Sequence, residues 1–206
     1  MTPTNEATVA PDIHLASRLV EIVTALSMTA GRGPVARGIA SLAAVGAGDR
    51  VLDVGCGPGT AAREAARRSP TVTGVDPSPV MLGLARRISA ARRVHNLNWM
   101  EGSAESLPLP HDSVTIAWAI STVHHWADVS AGIDEIRRVL APGGRVVLAE
   151  RLVKPGARGH AAHGLTGDQA VAIAAQLRAA GFEGVHTDVR RFGRRTLIIL
   201  IGTTPG

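Results

Sequence analysis

The sequence predicts an α/β fold in three layers: a seven-stranded, mostly parallel sheet covered by helices on both faces and closed by an antiparallel hairpin. Three observations carry this. Short β-branched and aliphatic runs alternate with longer segments of helical periodicity through the chain, the pattern of parallel strands joined by helical crossovers. The first run enters a glycine-rich turn, Gly55-Cys56-Gly57-Pro58-Gly59, which leads directly into an Ala-rich helix. The last two runs are separated only by Arg191 to Arg194, too few residues for a parallel crossover, so they must pair antiparallel.

In chain order, residues 1–11 are polar, contain two prolines and are expected to lack fixed structure. Leu15, Leu19, Ile22, Val23 and Leu26 recur at helical spacing and predict a helix over His14 to Ser27. After the Gly31/Gly33/Pro34 break a second helix is expected over Val35 to Ala44. Residues 12–46 then form an N-terminal helical cap, and 47–206 the core of a single domain. Strands are expected near 50–55, 71–75, 97–101, 113–119, 145–150, 184–190 and 196–202, and helices near 60–68, 78–92, 130–140 and 167–180. The helix at 167–180 carries a start signal in Thr166 with Gln169 three residues on, and a stop at Gly181.

Composition narrows the function. The chain has 206 residues and 45% hydrophobic content, enough for one buried α/β core and short for two. A formal charge of +5 and a pI near 11.0 could point to nucleic acid. The basic residues are arginines apart from Lys154, however, and alternate with acids along the chain, which reads as basic side chains on solvated helix faces. With no Tyr and only 2 Phe there is no platform for stacking bases, so a nucleic-acid partner is not expected. Cys56 is the one cysteine, which excludes an intrachain disulfide and cysteine-based zinc clusters, and its place in the turn marks a packing residue. There is no signal-peptide pattern and no apolar run near 18 residues, so a cytoplasmic protein without membrane contact is expected.

The glycine turn is the first chemical feature. Glycines at alternate positions admit left-handed angles and close ligand approach, and the helix beyond offers free N–H groups. Asp76 closes the next strand, Thr71-Val72-Thr73-Gly74-Val75, 21 positions after Gly55. At that separation a βαβ unit sets a carboxylate beside the turn to accept from ribose hydroxyls.

Val51-Leu52-Asp53-Val54-Gly55-Cys56-Gly57-Pro58-Gly59-Thr60 resembles the first motif of the class I S-adenosylmethionine-dependent methyltransferases of small-molecule type. Four further segments resemble that family's motifs in the same order: Val75 to Leu82, Gly102 to Pro108, Val123-His124-His125-Trp126, and Leu140-Ala141-Pro142-Gly143-Gly144-Arg145-Val146. The likeness spans residues 50–150, about half the chain. It implies a Rossmann-like methyltransferase fold, S-adenosylmethionine as methyl donor with S-adenosylhomocysteine as product, and a small-molecule acceptor. An N-terminal segment over the mouth of the site is implied too; with no Tyr, its contacts would come from backbone, Arg or aliphatic groups.

By this resemblance Gly55, Cys56 and Gly57 lie against the methionine part of the cofactor and Asp53 meets its ammonium, directly or through water, unless its carboxylate caps backbone N–H groups of its own turn. Asp76 accepts from the ribose, and Pro77 and Met81 flank the adenine, although Met81 suits a core place on the 78–92 helix equally. Ser103 stands where relatives commonly carry Asp and would accept from the adenine amino group more weakly, with the Ala104 N–H beside it; Glu105 suits a cofactor contact or a helix start equally. Asp112-Ser113-Val114 replaces the relatives' Phe-Asp pair at the fourth strand, whose end, Ala119 and Ile120, passes beneath the methyl donor. His124 and His125 border the reaction chamber, where one could act as general base or shape the loop. Methyl transfer needs little beyond alignment and exclusion of water, so the acceptor is not legible.

The loop Arg151 to His163 carries three basic side chains and two histidines, which leaves open an acidic acceptor or a plain surface loop. His160 and His163 have the spacing of half a metal site, but nothing joins them, and no resident metal is expected. Without large inserted lids the acceptor should be modest in size, or the pocket completed by a second subunit in a homodimer. Two other readings share parts of the pattern: a cofactor-binding module without catalysis, and an NAD-dependent oxidoreductase, which should lack both the Gly102 to Leu107 segment and the closing hairpin.

Overall fold

A computed structural model describes residues 31–206. The helix expected at 14–27 and the unstructured stretch expected at 1–11 lie outside them. The described chain runs α1 (Gly33–Leu42), β1 (Arg50–Val54), α2 (Thr60–Ala65), β2 (Thr71–Asp76), α3 (Pro79–Ala91), β3 (Leu97–Glu101) and β4 (Val114–Ile120). A 3-10 turn over Val123–His125 leads to α4 (Val129–Val139), β5 (Leu140–Arg151), α5 (Gly167–Ala179), β6 (Glu183–Phe192) and β7 (Arg195–Thr203). The sheet has the order β3-β2-β1-β4-β5-β7-β6. Strands β1 to β5 are parallel, and β7 runs antiparallel between β5 and β6. This is the mixed sheet that the short Arg191 to Arg194 link requires.

Local chemistry explains the helix ends. Ser78 caps α3 by accepting from the Met81 N–H at 3.3 Å, ahead of a proline in the first turn, and Asp128 caps α4 through the Ala131 N–H at 3.1 Å. At α5 the Thr166 hydroxyl accepts from the Gln169 N–H at 3.2 Å while the Gln169 amide oxygen accepts from the Thr166 N–H at 2.8 Å. That reciprocal pair satisfies two of the helix's orphan donors. One boundary departs from expectation: β5 begins at Leu140, because Leu140 already pairs with Val114 before the register shifts and resumes at Ile116 with Arg145. The intervening Gly144 donates to the Thr204 hydroxyl at 2.8 Å, so the turn at the foot of β5 is stitched to the end of β7.

The alternating side chains of the strands feed two cores. Leu52, Val54, Ala117, Leu148 and Leu200 join Ile133 and Ile136 of α4 and Leu177 of α5 on one face. Val51, Val72, Ile116, Trp118, Val147 and Ile199 join Ile39 of α1 and Ala62 of α2 on the other. Every β1 residue after Arg50 is buried, as a central parallel strand covered on both sides must be. Arg63 departs from the reading of basic residues as solvated: it is 6% exposed, donates to the Pro58 carbonyl at 2.6 Å and is lowered by burial to about 10. Among the described residues no helix is long and apolar enough to cross a membrane.

Two glycines inside helices make opposite forecasts. A Cβ on Gly38 would stand 2.2 Å from ring atoms of Phe192, where α1 packs on β6, whereas one on Gly83 in α3 would meet nothing within 4 Å. Replacing a helical glycine by alanine is worth about 1 kcal/mol in propensity, and overpacking costs about 1 to 3 kcal/mol. Gly83→Ala should therefore raise the thermal midpoint and Gly38→Ala should lower it, as differential scanning calorimetry would show.

Candidate functional site

The carboxyl ends of β1, β2, β4 and β5 meet above the sheet at the glycine turn. Gly55 takes φ +65°, and a Cβ there would lie 2.1 Å from the Thr122 hydroxyl, so the residue lets the loop after β4 close onto the loop after β1. Gly57, at φ +53°, faces open space with nothing within 4 Å of a built Cβ. That is a cradle a side chain would fill. Trp99 of β3 packs over Gly59 and Gly74, whose built Cβ atoms would stand 2.3 and 2.4 Å from its ring.

Two acids flank the turn. Asp53 is 2% exposed and accepts from the Ala62 N–H at 3.0 Å. Burial pushes it up to about 7, opposed by the nearby Trp118 indole and the Ala62 N–H; the indole nitrogen itself lacks a well-formed hydrogen bond. Asp76 accepts from the Gly57 N–H at 2.8 Å and the Ser78 N–H at 2.9 Å, one on each oxygen. Its carboxyl is raised by burial, against the pull of those two donors. The sequence reading expects this acid to accept from a ribose; in the structure it fastens the glycine turn to the start of α3, with the second lone pair of each oxygen left over. Burial pushes the Cys56 thiol well above its usual range, which fits a packing residue and not a nucleophile.

Three cavities adjoin here. The first is lined by Arg32, Asp53, Gly55, Cys56, Thr60 and Arg195, among others. The Arg32 Nε and the Thr60 hydroxyl are buried within it without hydrogen-bond partners. Burial chiefly, with Arg195, holds the Arg32 guanidinium below its ordinary value, while Glu150 and Asp53 pull it up. The second is lined by Gly55, Pro77, Ser103, Ala104, Thr122 and Trp126, among others. The third is lined by His124, His125 and His163 together with Val129, Leu165 and Ile173, among others. Gly55 is common to the first two cavities, and His125 and Trp126 to the second and third.

Of the residues expected from the sequence, Asp53, Gly55, Cys56, Pro77, Ser103, Ala104 and Glu105 come together around these cavities, with Gly57 and Asp76 at the seam between β1 and β2. Two are placed elsewhere. Ala119 is fully buried in the sheet between Val54 and Leu148, and it is Ile120 and Ser121 that line the first cavity. Met81 is half-buried on the first turn of α3 and lines none of the three. Glu105 borders the second cavity but accepts from the Ala127 and Asp128 N–H groups at 2.8 and 3.3 Å, which pins the loop ahead of α4.

His124 is oriented by a carboxylate. Its Nδ1 lies 3.0 Å from Glu150, which is 0% exposed at the end of β5 and also accepts from the Val123 N–H at 2.7 Å. Burial, together with the His124 and His163 imidazoles, holds His125 below the ordinary histidine value although it reaches solvent. Sequence reasoning missed Arg32, Thr60, Glu150 and Arg195, and did not join His163 to the histidine pair. Glu150 carried a readable signal, an acid directly after the apolar run Val146 to Ala149. Arg32 and Arg195 carried none, because only the fold brings the residue ahead of α1 and the first residue of β7 to one cavity.

Residues 52–148 match the model of the methyltransferase domain family. A demethylmenaquinone methyltransferase of Tropheryma whipplei is 35% identical over 114 residues, covering 55% of this chain and 46% of that protein. The protein of the same name from Deinococcus radiodurans is 38% identical over 149 residues, covering 70% and 57%. The chain thus spans about half the length of the curated relatives it matches. A crystal structure of an S-adenosylmethionine-dependent methyltransferase from Aquifex aeolicus superposes with a TM-score of 0.73 at 15% identity, covering 88% of this chain and 97% of that one. Family segment, strand order and the motifs around the glycine turn converge: residues 52–148 match the methyltransferase domain family, and the seven-stranded sheet has the fold of the S-adenosylmethionine-dependent methyltransferases.

Proposed function

We propose that this chain binds S-adenosylmethionine across the first two cavities and transfers its methyl group to a small apolar acceptor held in the third. The first cavity carries the reading. It sets an acid, Asp53, against a buried guanidinium and a buried hydroxyl that have no protein partner for Arg32 Nε and Thr60 Oγ1. Buried polar groups need partners, and this set complements an α-amino acid: Asp53 for the ammonium, Arg32 and Thr60 for the carboxylate. On the far side of Gly55, the second cavity offers Pro77, Ser103 and the Ala104 backbone to a nucleoside, with the remaining lone pairs of Asp76 for its ribose.

The cofactor, when bound, supplies a methyl carbon that its sulfonium makes electrophilic. The protein contributes placement. Gly55 and Thr122, in contact where the two cavities join, keep side-chain bulk away from the reacting centre. The walls of the third cavity, Val129, Leu165 and Ile173, exclude water from an apolar ring system, and His124 and His125 meet its polar atom. The name of the curated relatives supports an acceptor of quinone type. Incubation with radiolabelled S-adenosylmethionine and a panel of hydroquinones and phenols tests the reading; label transfer to at least one is expected, and absence of S-adenosylhomocysteine binding in calorimetry would overturn it.

Two substitutions test the donor site. Arg32→Leu should weaken S-adenosylhomocysteine binding at least tenfold, about 1.4 kcal/mol, and leave methylthioadenosine, which lacks the amino-acid end, unchanged. Asp76→Ala should weaken both by at least tenfold, since the ribose and the Gly57 N–H lose one acceptor together.

The pH behaviour of Asp53 has a definite sign. Its pKa is raised in the folded state from 3.8 to about 7, so the stability it lends is full below pH 4 and lost as pH rises through 7. An ammonium beside it reverses the shift. Binding of S-adenosylhomocysteine at pH 6.5 should therefore release more than half a proton, read by calorimetry in buffers of different ionisation enthalpy, and Asp53→Asn should abolish the release.

A further inference from the structure

We infer that His124, His125 and His163 form a binding site for a divalent transition-metal ion, with zinc the ion whose ligand chemistry they match best. A ring nitrogen of each lies within 4.8 Å of one from each of the other two. The ring centroids are 4.0 Å apart for His124 and His125, 5.5 Å for His124 and His163, and 5.7 Å for His125 and His163. Nitrogens bound at about 2.1 Å around a tetrahedral ion stand about 3.4 Å from one another. Side-chain rotation through about an ångström closes that difference. The three rings come from two separate loops, after β4 and after β5, so their meeting is a product of the fold and not of sequence adjacency alone.

Two further observations point to a cation. Glu150, fully buried, takes the Nδ1 side of His124 at 3.0 Å, which leaves Nε2 as the ligand atom; a carboxylate behind a histidine is the arrangement that orients metal ligands and raises their basicity. That Nε2 is itself buried and has no hydrogen-bond partner. Ring stacking alone would not require the buried acid, and a loop-shaping histidine would bond to backbone. Among the described residues no fourth histidine, cysteine or carboxylate joins the cluster. Three protein ligands leave one position for water or another small ligand, the pattern of an open site and not of a structural one. His125 also lines the cavity shared with Gly55 and Ser103, so a bound ion would stand beside the proposed donor pocket and present a Lewis acid there. The inference rests on these side chains and not on methyl transfer.

The test uses the untagged full chain, stripped with chelator and titrated with zinc or cobalt(II) in the absence of any cofactor or acceptor. One equivalent of zinc should bind at micromolar concentration or tighter, and cobalt should give the intense visible absorption of a tetrahedral site. His125→Ala and His163→Ala, both at solvent-accessible positions, should weaken binding at least tenfold with an unchanged circular dichroism spectrum; Glu150→Gln, which can still accept from the Val123 N–H, should weaken it by about 10- to 100-fold. His186→Ala, on β6, serves as the control and should bind normally. Absence of stoichiometric binding, or binding indifferent to both His125→Ala and His163→Ala, would overturn the site. S-adenosylhomocysteine affinity of the metal-free chain is read separately, so failure here and failure of the donor reading cannot be confused.

Discussion

Acids buried at the carboxyl ends of parallel strands are what the upper surface of this sheet depends on. Asp53 closes toward the end of β1, Asp76 ends β2 and Glu150 lies next to the end of β5. Each accepts a backbone N–H from the following helix or a neighbouring turn: Ala62 of α2, Gly57 with Ser78, and Val123. A buried carboxylate is costly unless hydrogen-bonded. The loops that carry glycines and histidines are therefore held in place by acids that need them.

The same acids carry charge to where ligands are expected to sit. Asp53, raised by burial, is poised to ionise when a cation comes beside it. Asp76 has half its lone pairs committed to the main chain, so it positions the turn and stays able to accept from a ligand. Glu150 orients an imidazole in place of a backbone group. Structure and chemistry thus share residues at this surface, and a substitution at any of the three will be felt in both stability and binding.

Most of the fold was legible in the sequence because its signals are local. Strands announce themselves as short β-branched runs, α5 by Thr166 and Gln169, and the antiparallel finish by the brevity of the Arg191 to Arg194 link. The start of β5 was missed because the residues that break it, Pro142 to Gly144, look like a loop and are held as a strand only by pairing with Val114 and Thr204. Within the site, the glycine turn and the nearness of Asp76 to it could be read from spacing, whereas the burial of Ala119 in the sheet and the place of Met81 outside all three cavities could not, because strand and helix phase decide which neighbour meets a cavity. Arg32 and Arg195 could not be read at all, and His163 was read only by its spacing from His160 and not joined to His124 and His125, since nothing near these residues in sequence reveals which loop they face.

The first cavity has a wall from each extreme of the described chain, Arg32 just ahead of α1 and Arg195 opening β7. Whatever fills it acts as a clasp between the first helix and the terminal hairpin, segments with no covalent proximity. Fraying of that hairpin and escape of the occupant then become one shared equilibrium, and saturation with ligand would tighten hydrogen exchange along β6 and β7 beyond the residues that line the cavity.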